Sequence, residues 1–232
     1  MFGRPMSLAD THLRFFLLLA SFALPTAEEA GATILTDVPA RPDPQARYLI
    51  FLHGKIVEDG GARPTHPVFG VYEYAAILDA LAARGLTVIS EQRAAGTATD
   101  RYAERVVGQV RGLIADGVAP RRVTVAGFSK GGAIAILTAA QLGQDSVNFV
   151  FLAACSEEIL ARQDVHVRGR ILSIIEGSDT VGRSCEPLHR RAAPGTVFEE
   201  VRLDTGARHG AFFQPHPTWI DPVARWATGG AP

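Results

Sequence analysis

Several features are scarce in this chain, and each scarcity narrows the possible functions. The 23 Lys and Arg residues nearly balance the 24 Asp and Glu residues, so the formal net charge is −1 and no basic surface is available for nucleic acid. Only two cysteines are present, which allows at most one intramolecular disulfide. No charge run, internal repeat or insertion large enough for a second domain or a bulky cap interrupts the sequence.

The N-terminus has the pattern of a secretory signal peptide. Arg4, His12 and Arg14 precede the apolar run 15–24, and small residues follow it. The run is short for a membrane span, and no cysteine beside it offers a lipid anchor. We therefore predict a signal peptide over about residues 1–27 and a secreted or periplasmic protein without a membrane span after processing. An uncleaved anchor or a buried helix is the alternative interpretation.

The rest of the chain, residues 31–232, is predicted to form one α/β domain. With 47% hydrophobic and 20% charged residues, the sequence can bury a large core. Continuous apolar runs predict buried strands over 47–52, 86–90, 123–128, 147–152 and 170–175. Helical patterns alternate with these runs, which predicts a mostly parallel central sheet with helices on both faces. We also expect an early edge strand over 33–38, a long loop over 55–71, an exposed strand over 197–203 and a last helix over 217–227.

The segment 123–132, VTVAGFSKGG, carries the clearest chemical signal. A β-branched run ends in Gly-x-Ser-x-Gly and an Ala-rich helical run follows, which is the order that a nucleophile elbow requires. Ser129 would then project above the sheet edge, beside the start of a helix whose dipole favours developing negative charge. A structural strand-to-helix turn is the alternative.

A serine nucleophile needs a base, and that base needs an acidic partner. Open α/β sheets place their working residues just beyond the carboxyl ends of the strands. His209 follows the last predicted strand in a Gly-containing loop, and Asp179 follows the strand over 170–175. His216 is the second candidate for the base, and Glu176 is the second candidate for the acid.

The order Ser129, Asp179, His209 resembles that of the α/β-hydrolase superfamily, and the resemblance covers roughly residues 45–228. It implies that Ser129 attacks an acyl carbon, that His209 moves the proton and that Asp179 orients His209. It also implies an oxyanion hole formed by the backbone N–H groups of Lys130 and, from the loop after the first core strand, Lys55. We expect an exported serine hydrolase that cleaves an ester or related acyl bond of a small molecule through an acyl-enzyme, without a metal or cofactor.

The small size is similar to that of lidless esterases and dienelactone-hydrolase-like members, although those often carry a cysteine nucleophile. After His53-Gly54 the chain has Lys55 where lipases have a run of glycines, which weakens the case for a bulky or long-lipid substrate. Aromatic residues predicted to line the substrate pocket are Phe69, Tyr72, Phe128 and Phe212. The same aromatics could instead be core residues.

Three charged residues after the first core strand, Lys55, Glu58 and Asp59, either contact a polar substrate or belong to a solvated loop. Two alternative functions also remain open. One is a peptidase or amidase on the same fold, and the other is a catalytically silent protein that binds a ligand.

Two cysteines in an exported protein favour a disulfide between Cys155 and Cys185, and two small buried apolar residues are the alternative. In the superfamily fold, the strands ending near Cys155 and Asp179 are neighbours. The resemblance therefore implies that such a disulfide would tether the loop that carries Asp179.

Overall fold

A seven-stranded sheet forms the centre of the computed structural model, which describes residues 1–3 and 33–231. The strands are β1 (Thr33–Leu35), β2 (Tyr48–Leu52), β5 (Thr87–Ile89), β6 (Val123–Phe128), β7 (Asn148–Leu152), β8 (Arg170–Glu176) and β9 (Val197–Leu203). All neighbouring strands in this sheet are parallel, in the order β1-β5-β2-β6-β7-β8-β9. This confirms the predicted fold class.

Helices cover both faces of the sheet, and this explains why the central strands are apolar without alternation. The helices are α1 (Lys55–Gly60), α2 (Tyr74–Ala82), α3 (Thr99–Ala115), α4 (Lys130–Leu142), α5 (Glu157–Ala161), α6 (Glu186–His189) and α7 (Pro217–Ala227). In β2, Leu49 and Phe51 join one core with α1, α2 and α7, while Ile50 and Leu52 join the other core with α3 and α4. Both sides of such a strand are therefore mostly apolar.

The segment over 55–71 was predicted as a loop, and that prediction is wrong. It holds α1 and a two-stranded antiparallel hairpin, β3 (Thr65–His66) and β4 (Gly70–Val71). Burial of Val57 and Glu58 against the rest of the fold stabilises a short helix that Gly and Pro content disfavours. The early strand is also shorter than expected, since β1 ends at Leu35.

Strand β9 lies at one edge of the sheet and is more exposed than the central strands, as the sequence predicts, with only Leu203 buried. The predicted signal peptide over 1–27 lies almost entirely outside the described residues. Within 33–231, no helix is both long and apolar enough to cross a membrane.

Parallel strands bring their carboxyl ends to the same edge of the sheet. Consequently the segments that follow β2, β6, β8 and β9 meet there. These are the segments that begin with His53, Ser129 and Gly177 and the loop that carries His209. The candidate site is built from them.

Candidate active site

Ser129 occupies a strained turn between β6 and α4. Its backbone has φ 53° and ψ −118°, a conformation that side-chain-bearing residues rarely adopt. The turn is tight enough to require glycine on both sides. A Cβ atom at Gly127 would lie 2.2 Å from the carbonyl oxygen of Gly131, and one at Gly131 would lie 1.9 Å from that of Leu52. The Gly-x-Ser-x-Gly pattern therefore has a steric cause in this fold.

The structure brings Ser129, His209 and Asp179 together in one hydrogen-bonded row. His209 Nε2 lies 2.9 Å from Ser129 Oγ, and His209 Nδ1 lies 2.7 Å from Asp179 Oδ2. An ionised carboxylate can only accept, so Nδ1 carries the proton and Nε2 accepts from the Ser129 hydroxyl. The side chain of Asp179 is 1% exposed and that of His209 is 11% exposed, so the row is largely shielded from water.

Asp179 is held as a carboxylate. Burial raises its pKa, but the hydrogen bond with His209 and the backbone N–H of Val181, 2.8 Å from Oδ1, together lower it below its ordinary value. Asp179 therefore stays ionised at neutral pH and keeps the proton of His209 on Nδ1.

The second candidate for the acid, Glu176, has a different place. It is buried at the end of β8, where its two oxygens accept hydrogen bonds at 2.8 to 3.2 Å from Ser178, Thr205 and Gly206. Burial raises the pKa of Glu176, yet these hydrogen bonds outweigh it and lower the pKa to about 2. Glu176 thus joins the loop that carries Asp179 to the loop that carries His209.

The second candidate for the base, His216, lies at the start of α7, where its side chain contacts Thr218 and not the hydrogen-bonded row of Ser129, His209 and Asp179. Its Nδ1 accepts from the backbone N–H of Thr218 at 3.3 Å, so it caps the helix.

Lys55 and Lys130 are the first residues of α1 and α4, respectively. The first N–H groups of a helix have no acceptor inside the helix, so both remain available to a ligand. The two helix starts lie close to the serine: a Cβ atom at Gly54 would be 3.7 Å from Ser129 Cβ. The positions are suitable for the predicted oxyanion hole.

Two cavities meet at Ser129. The smaller, about 210 Å³, also includes His209 in its lining and has a wall formed by Phe69, Phe128 and Phe213. The larger, about 370 Å³, lacks His209 in its lining. Its apolar lining consists of Ala133, Leu137, Ala153, Ala154, Ile159 and Val181, and its charged lining consists of Lys55, Asp100, Lys130, Glu158 and Arg162.

Only two of the four predicted wall residues line these cavities. Phe69 and Phe128 line the smaller cavity, whereas Tyr72 and Phe212 line neither and are buried to 0% and 1% exposure. The rings of Tyr72 and Phe212 pack behind Phe128, with centroids 5.9 and 5.6 Å from it. Their placement makes them core residues that support the wall, which corrects their prediction as substrate contacts.

Cys155 and Cys185 form a disulfide, with their Cα atoms 5.4 Å apart. A backbone bridge reinforces it, because the N–H of Arg183 donates to the carbonyl oxygen of Cys155 at 2.9 Å. The loop from β8 to α6, which carries Asp179, is therefore fastened to the end of β7.

A buried ion network beneath the site was missed by the sequence reasoning. Glu58 is not solvated: its side chain and that of Arg93 are both 0% exposed, and Arg93 Nε donates to Glu58 Oε1 at 2.8 Å. Lys130 Nζ donates to the other oxygen, Glu58 Oε2. Lys55 pairs instead with exposed Asp59 at the surface. Charged residues distant in sequence gave no signal that they would meet.

The same network holds His53. The N–H of Arg93 donates to His53 Nε2 at 2.9 Å, so the ring proton lies on Nδ1 and is donated to the carbonyl oxygen of Gly54 at 2.8 Å. Burial, and next the charge of Arg93, lower the pKa of His53 to about 4. His53 is therefore neutral and shapes the backbone at the end of β2.

Within residues 33–231, no group of three or more His, Cys, Asp or Glu side chains is arranged to bind a metal ion.

No protein-family model matches the sequence, and no curated protein matches it. Solved structures do resemble its fold. SOBER1 from Arabidopsis thaliana is 12% identical with a TM-score of 0.52, and the alignment covers 79% of this chain and 98% of that one. A fungal esterase from Rhizomucor miehei is 13% identical with a TM-score of 0.57, covering 87% and 76%.

An esterase from the bacterial hormone-sensitive lipase family is 18% identical with a TM-score of 0.54, and the alignment covers 82% of this chain and 77% of that one. At these identities the likeness concerns the fold. Together with the sheet order, it shows that this chain has the α/β-hydrolase fold.

Proposed function

We propose that the protein is an exported serine hydrolase that cleaves an ester or related acyl bond. The observation that carries the proposal is the row from Ser129 Oγ through His209 to Asp179, with separations of 2.9 and 2.7 Å. These are hydrogen-bond distances between a hydroxyl, an imidazole and a buried carboxylate, which is the arrangement that activates serine. The likeness to solved esterases supports the same class of reaction.

The proposed reaction has two halves. Ser129 Oγ attacks the acyl carbon while His209 Nε2 takes its proton, and the oxyanion accepts from the N–H groups of Lys55 and Lys130. The tetrahedral intermediate collapses, the bond to the leaving oxygen breaks, and His209 protonates that oxygen. Water then attacks the acyl-enzyme with His209 as base, releasing the carboxylic acid and free Ser129.

The two cavities favour one orientation of the substrate. His209 must protonate the leaving oxygen, and it lines only the smaller cavity. The leaving group therefore occupies the aromatic cavity of about 210 Å³, and the acyl group enters the larger cavity of about 370 Å³. An apolar leaving group suits a wall of three phenylalanines.

Labelling with a fluorophosphonate and turnover of p-nitrophenyl acetate test the assignment. Wild-type protein should react in both assays, and Ser129→Ala should lose both while keeping the wild-type melting temperature. Full turnover by Ser129→Ala would refute the role of Ser129. Absence of labelling in folded wild-type protein would favour a silent binding protein, and faster turnover of peptide substrates would favour a peptidase.

A panel of esters tests the orientation. Ala133→Leu narrows the larger cavity and should lower kcat/KM mainly for longer acyl chains. Phe69→Ala enlarges the smaller cavity and should change the preference among leaving groups instead. The reversed pattern would place the acyl group on the His209 side.

Export is part of the proposal. The disulfide supports it, because such bonds persist in oxidising compartments. Sequencing the N-terminus of protein recovered outside the cytoplasm should find a start near residue 28, and an intact Met1 in that fraction would contradict cleavage.

A further inference from the structure

The two proposed oxyanion donors lie on different segments, so something must set their separation. The N–H of Lys55 begins α1 after β2, and the N–H of Lys130 begins α4 after β6. Adjacent strands fix the strand ends, but α1 has only six residues and little packing of its own. An oxyanion hole whose N–H donors are displaced stabilises the oxyanion much less, because the effect depends on donors that are already in place when the negative charge develops.

The buried network connects both segments. Glu58 lies on α1, one turn after Lys55, and its two oxygens receive Arg93 Nε and Lys130 Nζ. Lys130 thus provides a backbone donor at the site and a side-chain tie to the helix that carries the other donor. Arg93 Nη2 also donates to the carbonyl oxygen of His53, which links the network to the end of β2.

The network is costly to bury, which suggests a role beyond stability. Ion pairs in a protein interior pay a large desolvation penalty, and apolar replacements of similar volume are often no less stable. Here the pairing is also incomplete: Arg93 Nη1 is buried and has no acceptor among the described residues. Two cations face one carboxylate, so the group carries a charge that is not balanced within the network.

We propose that Glu58 is a positioning residue that sets the distance between the N–H groups of Lys55 and Lys130, with Arg93 holding Glu58 in place. Lys130 completes the link through its side chain, which donates to Glu58. The inference rests on the proposed hydrolase function, since it concerns the oxyanion of that reaction.

Three variants test the inference. Glu58→Gln keeps the shape and one acceptor oxygen but removes the charge, Lys130→Met keeps the backbone N–H and removes the tie, and Lys130→Arg should restore it. A matched control is Val110→Ala, a core truncation in α3. Val110 forms none of the ion pairs or hydrogen bonds of the network, so this variant lowers stability and leaves those bonds in place.

The expected result separates transition-state binding from substrate binding. For p-nitrophenyl acetate, Glu58→Gln and Lys130→Met should lower kcat about 10-fold to 100-fold with KM changed less than about threefold. The affinity of a trifluoromethyl ketone, which forms a tetrahedral oxyanion on serine, should fall by the same factor as kcat/KM. Lys130→Arg should recover most of the loss, and Val110→Ala should keep wild-type kcat per folded molecule.

Several results would overturn the inference. One is a kcat within about threefold of wild type in both variants, and another is loss of activity that follows only the unfolded fraction, as in Val110→Ala. If Glu58→Gln fails to fold, Lys130→Met alone decides the question. These failures differ from failure of the proposed function, in which wild-type protein itself would show neither turnover nor labelling of Ser129.

Discussion

Reduction of the Cys155–Cys185 disulfide should lower both the thermal stability and the activity of the protein. The bond joins residues 30 positions apart, and a crosslink of that span removes about 3.6 kcal/mol of unfolded-chain entropy at 25 °C in the chain-entropy model. For a domain of this size, 1 kcal/mol corresponds to about 2–4 °C in melting temperature. Reduction should therefore lower the melting temperature by about 7–14 °C.

The activity should fall because the disulfide fastens the loop that carries Asp179. Contacts of that loop through Ser178 and Glu176 remain after reduction, so displacement of Asp179 is partial. A misplaced catalytic group can cost up to about 100-fold, and we expect a fall in kcat of about threefold to tenfold at 25 °C.

Calorimetry and p-nitrophenyl acetate turnover, each with and without a phosphine reductant, measure both effects. The chain has no other cysteine, so the reductant acts on this bond alone. A Cys155→Ala/Cys185→Ala double variant should match the reduced protein and should not respond to reductant. Complete reduction with a melting-temperature change below about 2 °C would refute the reasoning, because the crosslink would then not constrain the unfolded chain.

Three further outcomes are expected. Asp179→Asn should lower kcat about 10⁴-fold with little change in melting temperature, and a loss below tenfold would exclude Asp179 as the acid. Glu176→Gln should be less stable than wild type by about 1–3 kcal/mol at pH 7. The Glu176 carboxylate stabilises the folded state at pH values above its ordinary pKa of 4.5, and this stabilisation is lost as the pH falls toward about 2. Urea unfolding should therefore show that the difference in unfolding free energy between wild type and Glu176→Gln shrinks over that range. Equal deficits at pH 7 and at about pH 2.5 would contradict the assignment. Gly131→Ala should fail to fold or should lose more than about 3 kcal/mol of unfolding free energy. As a control, Gly108→Ala in α3 places its methyl group in open space and should leave stability unchanged or raise it. A stable Gly131→Ala would contradict the close approach of Gly131 to Leu52.

Much of the fold was predictable because local patterns of apolar and polar residues in the sequence indicate its strands and helices. Strands buried on both faces are mostly apolar along their whole length, and this pattern indicated β2, β6, β7 and β8 in the sequence. The segment over 55–71 was not predictable in the same way. Its Gly and Pro content indicates a loop, and the burial of Val57 and Glu58 that stabilises α1 depends on the rest of the fold.

The candidate site, like the fold, was predictable from the sequence only in part. The sequence alone determined which residue types follow the strands, so it indicated Ser129, Asp179 and His209 as one group before any distance was known. The sequence could not distinguish residues that line the cavity from residues of the core. Tyr72 and Phe128 are both apolar aromatics in the sequence, and only the packing places Tyr72 behind Phe128.

Tertiary structure alone decided what supports the site. Glu58, Arg93 and Lys130 are separated by 35 and 37 positions along the chain, and charged residues at such spacing have no pattern of their own. Their meeting depends on β2, β5 and β6 lying side by side, since each residue follows the end of one of these strands. The sequence determines local structure through periodicity and sterics, whereas the pairing of buried charges arises only when the sheet brings remote segments into contact.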